Sequence, residues 1–590
     1  MKTRRLSFLF LFLAGVAAAA GGCRNVPAMS VEDTYNWPDD ADWVHPETRR
    51  EPVDLLFVID DSAGMADGQV RLGRAMPALV ERLGRVAGGL PDLHVGVIST
   101  DLGTAPYNSA GCELPGGDGG RLLKGLHDSC TNPRGQHFVA DVAPRGCTIT
   151  RTTDPDGAAI CTSHDCVQAN CDVAAFTGLD GTATEPAGLV FSVDEHGCPR
   201  CRNYADEPLA DVLACTTALG TTGCGMEQPL EALYQAMIDP SRYNTGFWRQ
   251  GALLFVVFLS NEDDCSVKVA ELFNPAGDPA TTLGTLTSFR CTEFGVVCDQ
   301  PWDRVMADGP VAYTGCVPRE ANDPKNLLHP ISRYVSLLLQ SKDPSRVFLA
   351  AIAGPSDGTL TVDTGDAGGP ALQASCGNQG DEAVPAVRLR TFVDAFPAGH
   401  PDRALPSYCA PDYAPALTGL AGILADRFDA VCLSGPLVDC PDPAAAAGEP
   451  PLTALPPEVA ARCEPRCQVW DEDVDHEIIG ILPCPADHAG GHPPGIDPTL
   501  PMPACWHVTF SHACAAACPT TGAWGCDPAV NPWWTPSRGA GLRISRREPA
   551  APGVDTFARC PRLPLYEVLC ANGLDDDVDG RIDEADPDCL

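Results

Sequence analysis

The sequence predicts an α/β protein whose core is a doubly wound, mostly parallel sheet. Apolar, β-prone runs alternate along the chain with segments of helical spacing, as in parallel sheets covered on both faces. At 590 residues the chain is also too long for one ordinary core, so we expect several domains. The runs are "VDLLFVID" (53–60), "LHVGVIST" (93–100), "ALLFVVFLS" (252–260) and "SRVFLAAIAG" (345–354).

Helices are predicted between and after these strands. Residues 68–90 carry apolar side chains at helical spacing, with Pro77 expected to bend the helix. "RALPSYC" (403–409) is interpreted as an edge strand. Further helices are predicted at 227–238, 331–342, 386–396 and 415–428. Ligand sites in such a fold belong at the carboxyl ends of the strands.

The first 23 residues, "MKTRRLSFLFLFLAGVAAAAGGC", predict export. A basic start, an apolar centre and small residues make 1–22 a signal peptide. The segment resembles a bacterial lipoprotein signal, which implies lipidation of Cys23; plain signal cleavage is the alternative. Removing Cys23 from 29 cysteines leaves an even number that can pair completely. Because Arg24 is not the aspartate that, by this resemblance, retains lipoproteins at an inner membrane, we expect an outer-membrane lipoprotein facing the periplasm or the cell surface.

The charge limits the partners. Cleavage removes three basic residues and no acidic one, which lowers the formal charge from −38 to −41. Such a chain repels nucleic acid and anionic lipid and attracts divalent cations. We therefore expect no nucleic-acid partner, and membrane contact through the lipid anchor only.

Cysteine content divides the chain further. After an N-terminal tether (23–51), residues 52–432 form the α/β domain, with Cys-rich insertions at about 104–220 and 265–323. "CPRC" (198–201) has a zinc-like spacing, but in an exported, cysteine-rich chain disulfides are the better interpretation.

The end of the first strand carries the motif of a cation site. Asp60 and Ser62 follow "VDLLFVI", with Gly64 two residues later. Here the chain resembles the von Willebrand factor type A family, whose first strand ends in Asp-x-Ser-x-Ser at a metal-ion-dependent adhesion site. The resemblance covers about 52–432 and implies a bound Mg²⁺, which prefers hard oxygen ligands. Gly64 departs from it, because the family has serine there.

The remaining ligands of this site come from two later loops. The family's threonine corresponds to Thr221 or Thr222, of which we select Thr222. Its later aspartate falls at Asn261, and Asp263 is the nearby acid that we expect to replace it. Two alternatives stay open: Asp60 and Ser62 simply cap the following helix, and the acidic turn around Asp263 is only solvated.

Beyond residue 432 the composition changes. Residues 433–459 are rich in Pro and Ala and are interpreted as a linker. Residues 460–560 predict a small disulfide-rich β domain in which "CWHVTF" and "GLRISRRE" are strands.

The last segment, "CANGLDDDVDGRIDEADPDC" (570–589), fits the calcium-loop template. It resembles EF-hand-like loops of dockerin and thrombospondin type 3 repeats and Asp-rich repeats of secreted myxobacterial proteins. No exit helix can follow, and Cys570 and Cys589 bracket the loop as a candidate disulfide. A solvated acidic tail is the alternative to Ca²⁺ binding. The expected ligands are Asp575, Asp577, Asp579, Arg581 through its carbonyl, Asp583 and Asp586.

Three function classes follow. The leading hypothesis is an exported, lipid-anchored binding or adhesion protein that uses a divalent cation to bind a protein or glycan. The alternatives are a structural envelope protein with a metal-free type A domain, and a hydrolase with a carbohydrate-targeting Cys-rich module. Because no nucleophile elbow, His-Glu-x-x-His pair or Walker loop occurs, we expect no enzyme.

Overall fold

The computed structural model describes residues 52–432 with short gaps, and several stretches of the chain beyond them. The gaps are 87–88, 110, 154–158, 173–175, 178–182, 185–187, 205–206, 239–242, 279, 307–308, 343–345, 366–368, 379–380, 397–405 and 430. The later stretches are 467–472, 478–484, 495–496, 500–510, 540–547 and 555–559.

A seven-stranded mixed sheet forms the centre of residues 52–432. Its strands are β1 (Val53–Ile59), β2 (Leu93–Ser99), β3 (Val139–Val142), β4 (Val190–Val193), β5 (Pro199–Arg202), β6 (Leu253–Leu259) and β7 (Val347–Ile352). They lie in the order β7-β6-β1-β2-β3-β5-β4. The four predicted strands β1, β2, β6 and β7 are mutually parallel, whereas β3, β5 and β4 join by antiparallel pairs. The predicted α/β fold with a largely parallel sheet is confirmed.

Helices cover both faces of this sheet. They are α1 (Ala66–Gly84), α2 (Leu209–Thr216), α3 (Pro229–Ile238), α4 (Phe289–Gly295), α5 (Ile331–Ser341), α6 (Val387–Asp394) and α7 (Ala414–Asp429). Along β1, Leu56 and Val58 enter one hydrophobic core, with α3, α5 and α6. Leu55 and Phe57 enter another, with α1, α2 and α7. Because successive strand residues point to opposite sides, the two cores lie on opposite faces.

The predicted insertion 104–220 contributes to the sheet itself. It supplies β3, β4 and β5, which extend the sheet beyond β2, and α2, which shares a core with α1. The sequence pattern predicted an insertion here and not strands of the central sheet. Pro77 lies inside α1, which continues through it. Of the predicted edge strand 403–409, the described part makes one parallel bridge, Ala353 to Ser407.

Shorter elements complete residues 52–432. The turns and short helices include Leu126–Asp128, Ala169–Asp172 and Ala270–Phe273. The paired short strands are Ile149–Thr153 with Ala159–His164, Phe176–Thr177 with Ala183–Thr184, Val296–Val297 with Val317–Pro318, Val311–Tyr313 with Leu360–Thr364 and Pro370–Leu372, and Cys376–Asn378 with Asp381–Ala383.

A second sheet involves the residues beyond 430. The predicted strands there are found as Ala504–Phe510 and Ala540–Arg546, paired antiparallel. Val431–Cys432, Gln468–Glu472, Ile478–Pro483, Gly495–Ile496 and Asp555–Arg559 complete this sheet. A disulfide joins Cys484 to Cys505 within it.

Disulfides are frequent, as predicted. Those between described cysteines are 112–224, 130–215, 147–166, 161–198, 171–201, 265–291, 298–316, 376–409 and 484–505. Cys198 and Cys201 of "CPRC" belong to two different disulfides, so disulfide formation there is confirmed. This content is typical of extracellular or secreted proteins. Among the described residues, no helix combines the length and the apolar character needed to cross a membrane.

Buried charges at the amino-terminal edge of the sheet are paired. Asp54 in β1 is fully buried, and its Oδ1 lies 2.7 Å from Arg249 Nε. The Arg249 amide donates to the other carboxylate oxygen at 2.8 Å. On strand β3, which lies beyond β2, Asp141 pairs with Arg200 at 2.6 Å. Each carboxylate thus has a guanidinium supplied by the chain.

Candidate functional site

Three parallel strands end side by side at the carboxyl edge of the sheet. Ile59 of β1 pairs with Ser99 of β2 and with Leu259 of β6. The residues that follow, Asp60 and Ser260, are therefore neighbours although 200 positions separate them in sequence. Polar side chains at such an edge can converge on one ligand.

Asp60 is held at the centre of this edge. It is fully buried, and its Oδ1 accepts a hydrogen bond from the Ser62 amide at 2.8 Å. Its Oδ2 accepts one from Ser260 Oγ, also at 2.8 Å. Burial raises the pKa of Asp60, and the bonds from Ser62 and Ser260 oppose this rise. Gln69 of α1 donates to the Asp60 carbonyl at 3.0 Å and so fixes the loop.

Asp60 and Ser62 do not cap the helix that follows them. The Ser62 hydroxyl bonds to the Asp60 carboxylate and is itself buried. Helix α1 begins at Ala66, and its N-cap Met65 makes no side-chain cap hydrogen bond. The carboxylate and the hydroxyl are therefore directed to each other rather than to helix amides.

Gly64 and Asn261, the two residues that depart from the expected motif, pack against each other. A Cβ on Gly64 would lie 2.7 Å from Asn261 Nδ2, so the Asn261 side chain occupies the space that a serine at 64 would need. The buried Oδ1 of Asn261 has no hydrogen-bond partner among the described residues. Thus an amide stands where the resemblance implies a hydroxyl and an acid.

The loop of the predicted threonine approaches the site through its backbone. Thr222 is exposed and Thr221 is half-buried, and neither hydroxyl makes a hydrogen bond within the described part of the chain. The next residue, Gly223, does approach, because its amide donates to the Asp61 carbonyl at 2.8 Å. The loop therefore lies at this edge as expected, and the part of Thr222 in cation binding stays a prediction.

Glu227 is the residue that sequence reasoning missed. It is 1% exposed and precedes α3 by two residues. Burial raises its pKa well above the ordinary value, and the nearby carboxylates of Glu262 and Asp60 raise it further. Its Oε1 is buried without a hydrogen-bond partner among the described residues. The sequence does place an acid, Glu227, in the turn before a predicted helix at the carboxyl edge of the sheet. The ligand expected from this loop was a threonine hydroxyl.

Glu262 is the second unanticipated carboxylate. It hydrogen-bonds to Glu227 and to the Ser288 side chain. Burial, followed by the charge of Asp60, raises its pKa to about 7. Two carboxyl groups in hydrogen-bond contact repel when both are ionised, so this pair shares a proton unless a cation replaces it.

Asp263, the predicted acid, binds a helix instead. Its carboxylate accepts hydrogen bonds from the amides of Arg388, at 2.9 and 3.0 Å, and Leu389, at 3.1 Å. These amides begin α6, so Asp263 satisfies free donors there. Burial nevertheless raises its pKa to about 6. The following Asp264 pairs with the Arg388 guanidinium at 2.9 Å.

A small cavity lies next to these acids. Its volume is about 10 Å³, close to that of one water or one ion. Glu227, Glu262 and Asp263 line it together with Ser288 and Thr292. Its polar lining consists mainly of oxygen donors of the kind that Mg²⁺ and Ca²⁺ prefer.

The donor set fits a hard divalent cation. Among the described residues, no Lys, Arg or His lies within ion-pair distance of Asp60, Glu227 or Glu262. Buried carboxylates without a counter-charge are costly, and a cation would offset that cost. These oxygens are not gathered tightly. Within the described part of the chain, the three residues whose ligand atoms all lie within 4.8 Å of one another are Cys147, Asp165 and Cys166. These two cysteines form a disulfide with each other.

The remaining predicted site residues lie outside the described residues. These are the lipidation site Cys23, the calcium-loop residues Asp575, Asp577, Asp579, Arg581, Asp583 and Asp586, and the candidate disulfide Cys570–Cys589. Their roles stay predictions.

The similarity of this chain to known proteins is low. No family model matches it, and no curated protein matches it. The crystal structure of the pilus adhesin SpaC from Lactobacillus rhamnosus GG is similar with a TM-score of 0.23 and 10% identity. The match covers 89% of this chain and 41% of the adhesin, so the chain spans less than half the adhesin's length. A similarity this low supports no conclusion about fold or function.

Proposed function

We propose that the chain is an exported binding protein that uses a divalent cation at the carboxyl edge of its central sheet to bind a protein or glycan. One observation carries the proposal: Asp60, Glu227 and Glu262 are buried or half-buried together, and no cationic side chain among the described residues compensates them. We further propose that the protein binds its ligand without transforming it.

Four residues would hold the cation. Asp60 and Ser62 come from the end of β1, Glu227 from the turn before α3, and Glu262 from the loop after β6. When bound, Mg²⁺ supplies a Lewis-acidic position that an oxygen of the ligand can complete. Ser260 orients the Asp60 carboxylate through its hydrogen bond.

A type A domain is the fold that we propose for residues 52–432. The central position of β1 between parallel β2 and β6, and the antiparallel β3 beyond β2, support it. Asp60 and Ser62 stand at the motif's first two positions, as the sequence resemblance implies. In this proposal Glu227 supplies the oxygen expected from Thr222.

The membrane anchor and the cellular location of the protein belong to the same proposal. The disulfides support an oxidising compartment outside the cytoplasm. We propose that lipidated Cys23 anchors the mature chain at an outer membrane, with the C-terminal loop binding Ca²⁺. This arrangement leaves the carboxyl edge free to meet a ligand in the periplasm or at the surface.

A structural envelope protein without a type A cation is the second candidate. Gly64 and Asn261 remove one hydroxyl and one acid from the motif, Asp263 is engaged with α6, and the exposed Thr222 makes no hydrogen bond among the described residues. In that case the edge acids would keep a shared proton rather than a metal.

Metal titration separates the two candidates. We would titrate Mg²⁺ into the oxidised full-length chain by calorimetry and compare it with Glu227→Gln and Asp60→Asn. We expect both variants to lose the Mg²⁺ heat of this site, while the exposed control Asp211→Asn retains it. Binding to an immobilised glycan and protein panel should fall in the same variants. Equal Mg²⁺ uptake by wild type and Glu227→Gln would rule out the proposed site.

A further inference from the structure

A second group of acids lies at the same edge and has no part in the proposed site. Asp61 follows Asp60, Asp101 lies just after β2, and Asp118 belongs to the loop beyond it. Asp61 is 7% exposed and Asp101 is 9% exposed. The three come from separate loops that folding brings to one edge, although their carboxylate oxygens do not all lie within 4.8 Å of one another.

Hydrogen bonds connect these loops closely. Asp118 accepts a hydrogen bond from Ser99 Oγ at 2.7 Å, and its amide donates to the Asp101 carbonyl at 2.9 Å. The Asp101 carboxylate accepts from the Gly103 amide at 2.8 Å and from the Cys224 amide. The carboxylates of Asp101 and Asp118 are thus fixed rather than free to swing into solvent.

Asp61 is aimed into this group and lacks a partner. Its Oδ1 is buried and makes no hydrogen bond among the described residues. Gly223 packs directly on the carboxylate, since a Cβ there would lie 2.2 Å from Oδ1. A carboxylate oxygen closed off from water without a donor is a costly arrangement.

The charge around Asp61 is also uncompensated. The carboxylates of Asp101, Asp118 and Asp60 are near enough to repel that of Asp61. Within the described part of the chain, Arg121 is the cationic side chain at ion-pair distance from this group, at 3.0 Å from Asp118 Oδ1. One guanidinium at the far carboxylate leaves Asp61 and Asp101 without a counter-charge.

We propose that Asp61, Asp101 and Asp118 bind a second cation, Ca²⁺. Carboxylates from three irregular loops suit Ca²⁺, which accepts six to eight oxygens in flexible geometry, better than Mg²⁺, which demands an octahedron. The unpartnered Asp61 Oδ1 becomes a ligand. Because Asp60 and Asp61 are consecutive, one loop would serve both cations while the two ligand sets stay separate.

The test counts bound Ca²⁺ in the full-length, oxidised chain. Equilibrium dialysis with metal analysis is applied to wild type, Asp61→Asn, Asp101→Asn and the exposed control Asp211→Asn. We expect each of the first two variants to bind one Ca²⁺ fewer per chain than wild type, and the control to bind the same number. Either of these variants suffices if the other fails to fold. Equal counts in wild type and the folded site variants would overturn the proposal.

Thermal unfolding supplies a readout that a purely structural role would not produce. In chelator, Asp61→Asn replaces a carboxyl group that has no counter-charge with a neutral amide, so the variant should melt at or above the wild-type temperature. In Ca²⁺, wild type should gain more than the variant. A variant that melts lower by the same amount in both conditions contradicts a cation site. Glu227→Gln should keep this Ca²⁺, so failure of the Mg²⁺ site and failure of this site give different results.

Discussion

The two edges of the central sheet both bury carboxylates, and they differ in what opposes them. At the amino-terminal edge, Asp54 and Asp141 each contact a guanidinium from the chain itself. At the carboxyl edge, Asp60, Asp61 and Glu227 have no such contact among the described residues. Charge at the first edge is therefore balanced by folding alone. Charge at the second requires protons or a cation, which are supplied from outside.

The largest expected effect comes from unbalancing the amino-terminal edge. Arg249→Met would leave Asp54 buried without its partner and should lower the free energy of unfolding by about 3–5 kcal/mol. Urea denaturation measures it. The added change Asp54→Asn should restore much of the loss, because the buried carboxylate that lost its partner is then neutral.

The matched control lies on the surface of α1. Arg85 pairs with Glu81 at 2.6 Å in an exposed i,i+4 arrangement, and its replacement by Met should cost only about 0–1 kcal/mol. Similar losses in the two variants would show that the amino-terminal edge does not depend on its ion pairs.

An intermediate effect is expected from pH at the carboxyl edge. The pKa of Glu262 rises from 4.5 to about 7, and that of Asp61 from 3.8 to about 8. Between these values the folded, metal-free chain binds more protons than the unfolded chain. The contribution of these two groups to the free energy of unfolding should therefore be fully present below about pH 4 and be lost as pH rises to about 8, by at most about 1.4 kcal/mol per pH unit for each proton.

Cation should remove this decline. With Mg²⁺ and Ca²⁺ present, the ionised carboxylates are stabilised, so unfolding curves at pH 5 and pH 8 should converge. Glu262→Gln in chelator should flatten the part of the decline below about pH 7. If the chelated wild type is equally stable at pH 5 and pH 8, the edges do not differ as described.

The smallest effect on the sheet should come from the C-terminal loop. Asp575→Ala together with Asp579→Ala removes two expected Ca²⁺ ligands from a segment outside the described residues. We expect calorimetry to show a lost Ca²⁺ heat, while the melting of the sheet shifts little. An unchanged heat would refute Ca²⁺ binding by the loop.

The parallel half of the sheet could be predicted because its signal is local. Runs such as 53–60 and 252–260 are mainly apolar, as expected of strands covered on both faces. The antiparallel half could not be predicted. β3, β4 and β5 have four residues each, and their register depends on partners distant in sequence, within a region closed by disulfides such as Cys171–Cys201.

The candidate site likewise contains residues whose place the sequence could predict and residues whose place it could not. Asp60 and Ser62 follow directly from the end of a strong strand, and the structure places them together. Glu227 was missed because its position depends on how α3 meets the edge, which no short pattern encodes. Asp263 looked equivalent to its acidic neighbours in sequence. Only the approach of α6, 125 residues later, determines that it binds helix amides.

The Cys112–Cys224 disulfide makes completion of the carboxyl edge depend on oxidation. Cys224 donates its amide to Asp101, and its neighbour Gly223 closes over Asp61. While the two thiols stay reduced, as in the cytoplasm, no disulfide holds the segment around Cys224, and the proposed Ca²⁺ site is incomplete. We therefore expect a newly made chain to bind no Ca²⁺ at the proposed site inside the cell. Binding should follow oxidation, so that the disulfide forms first and the cation binds second.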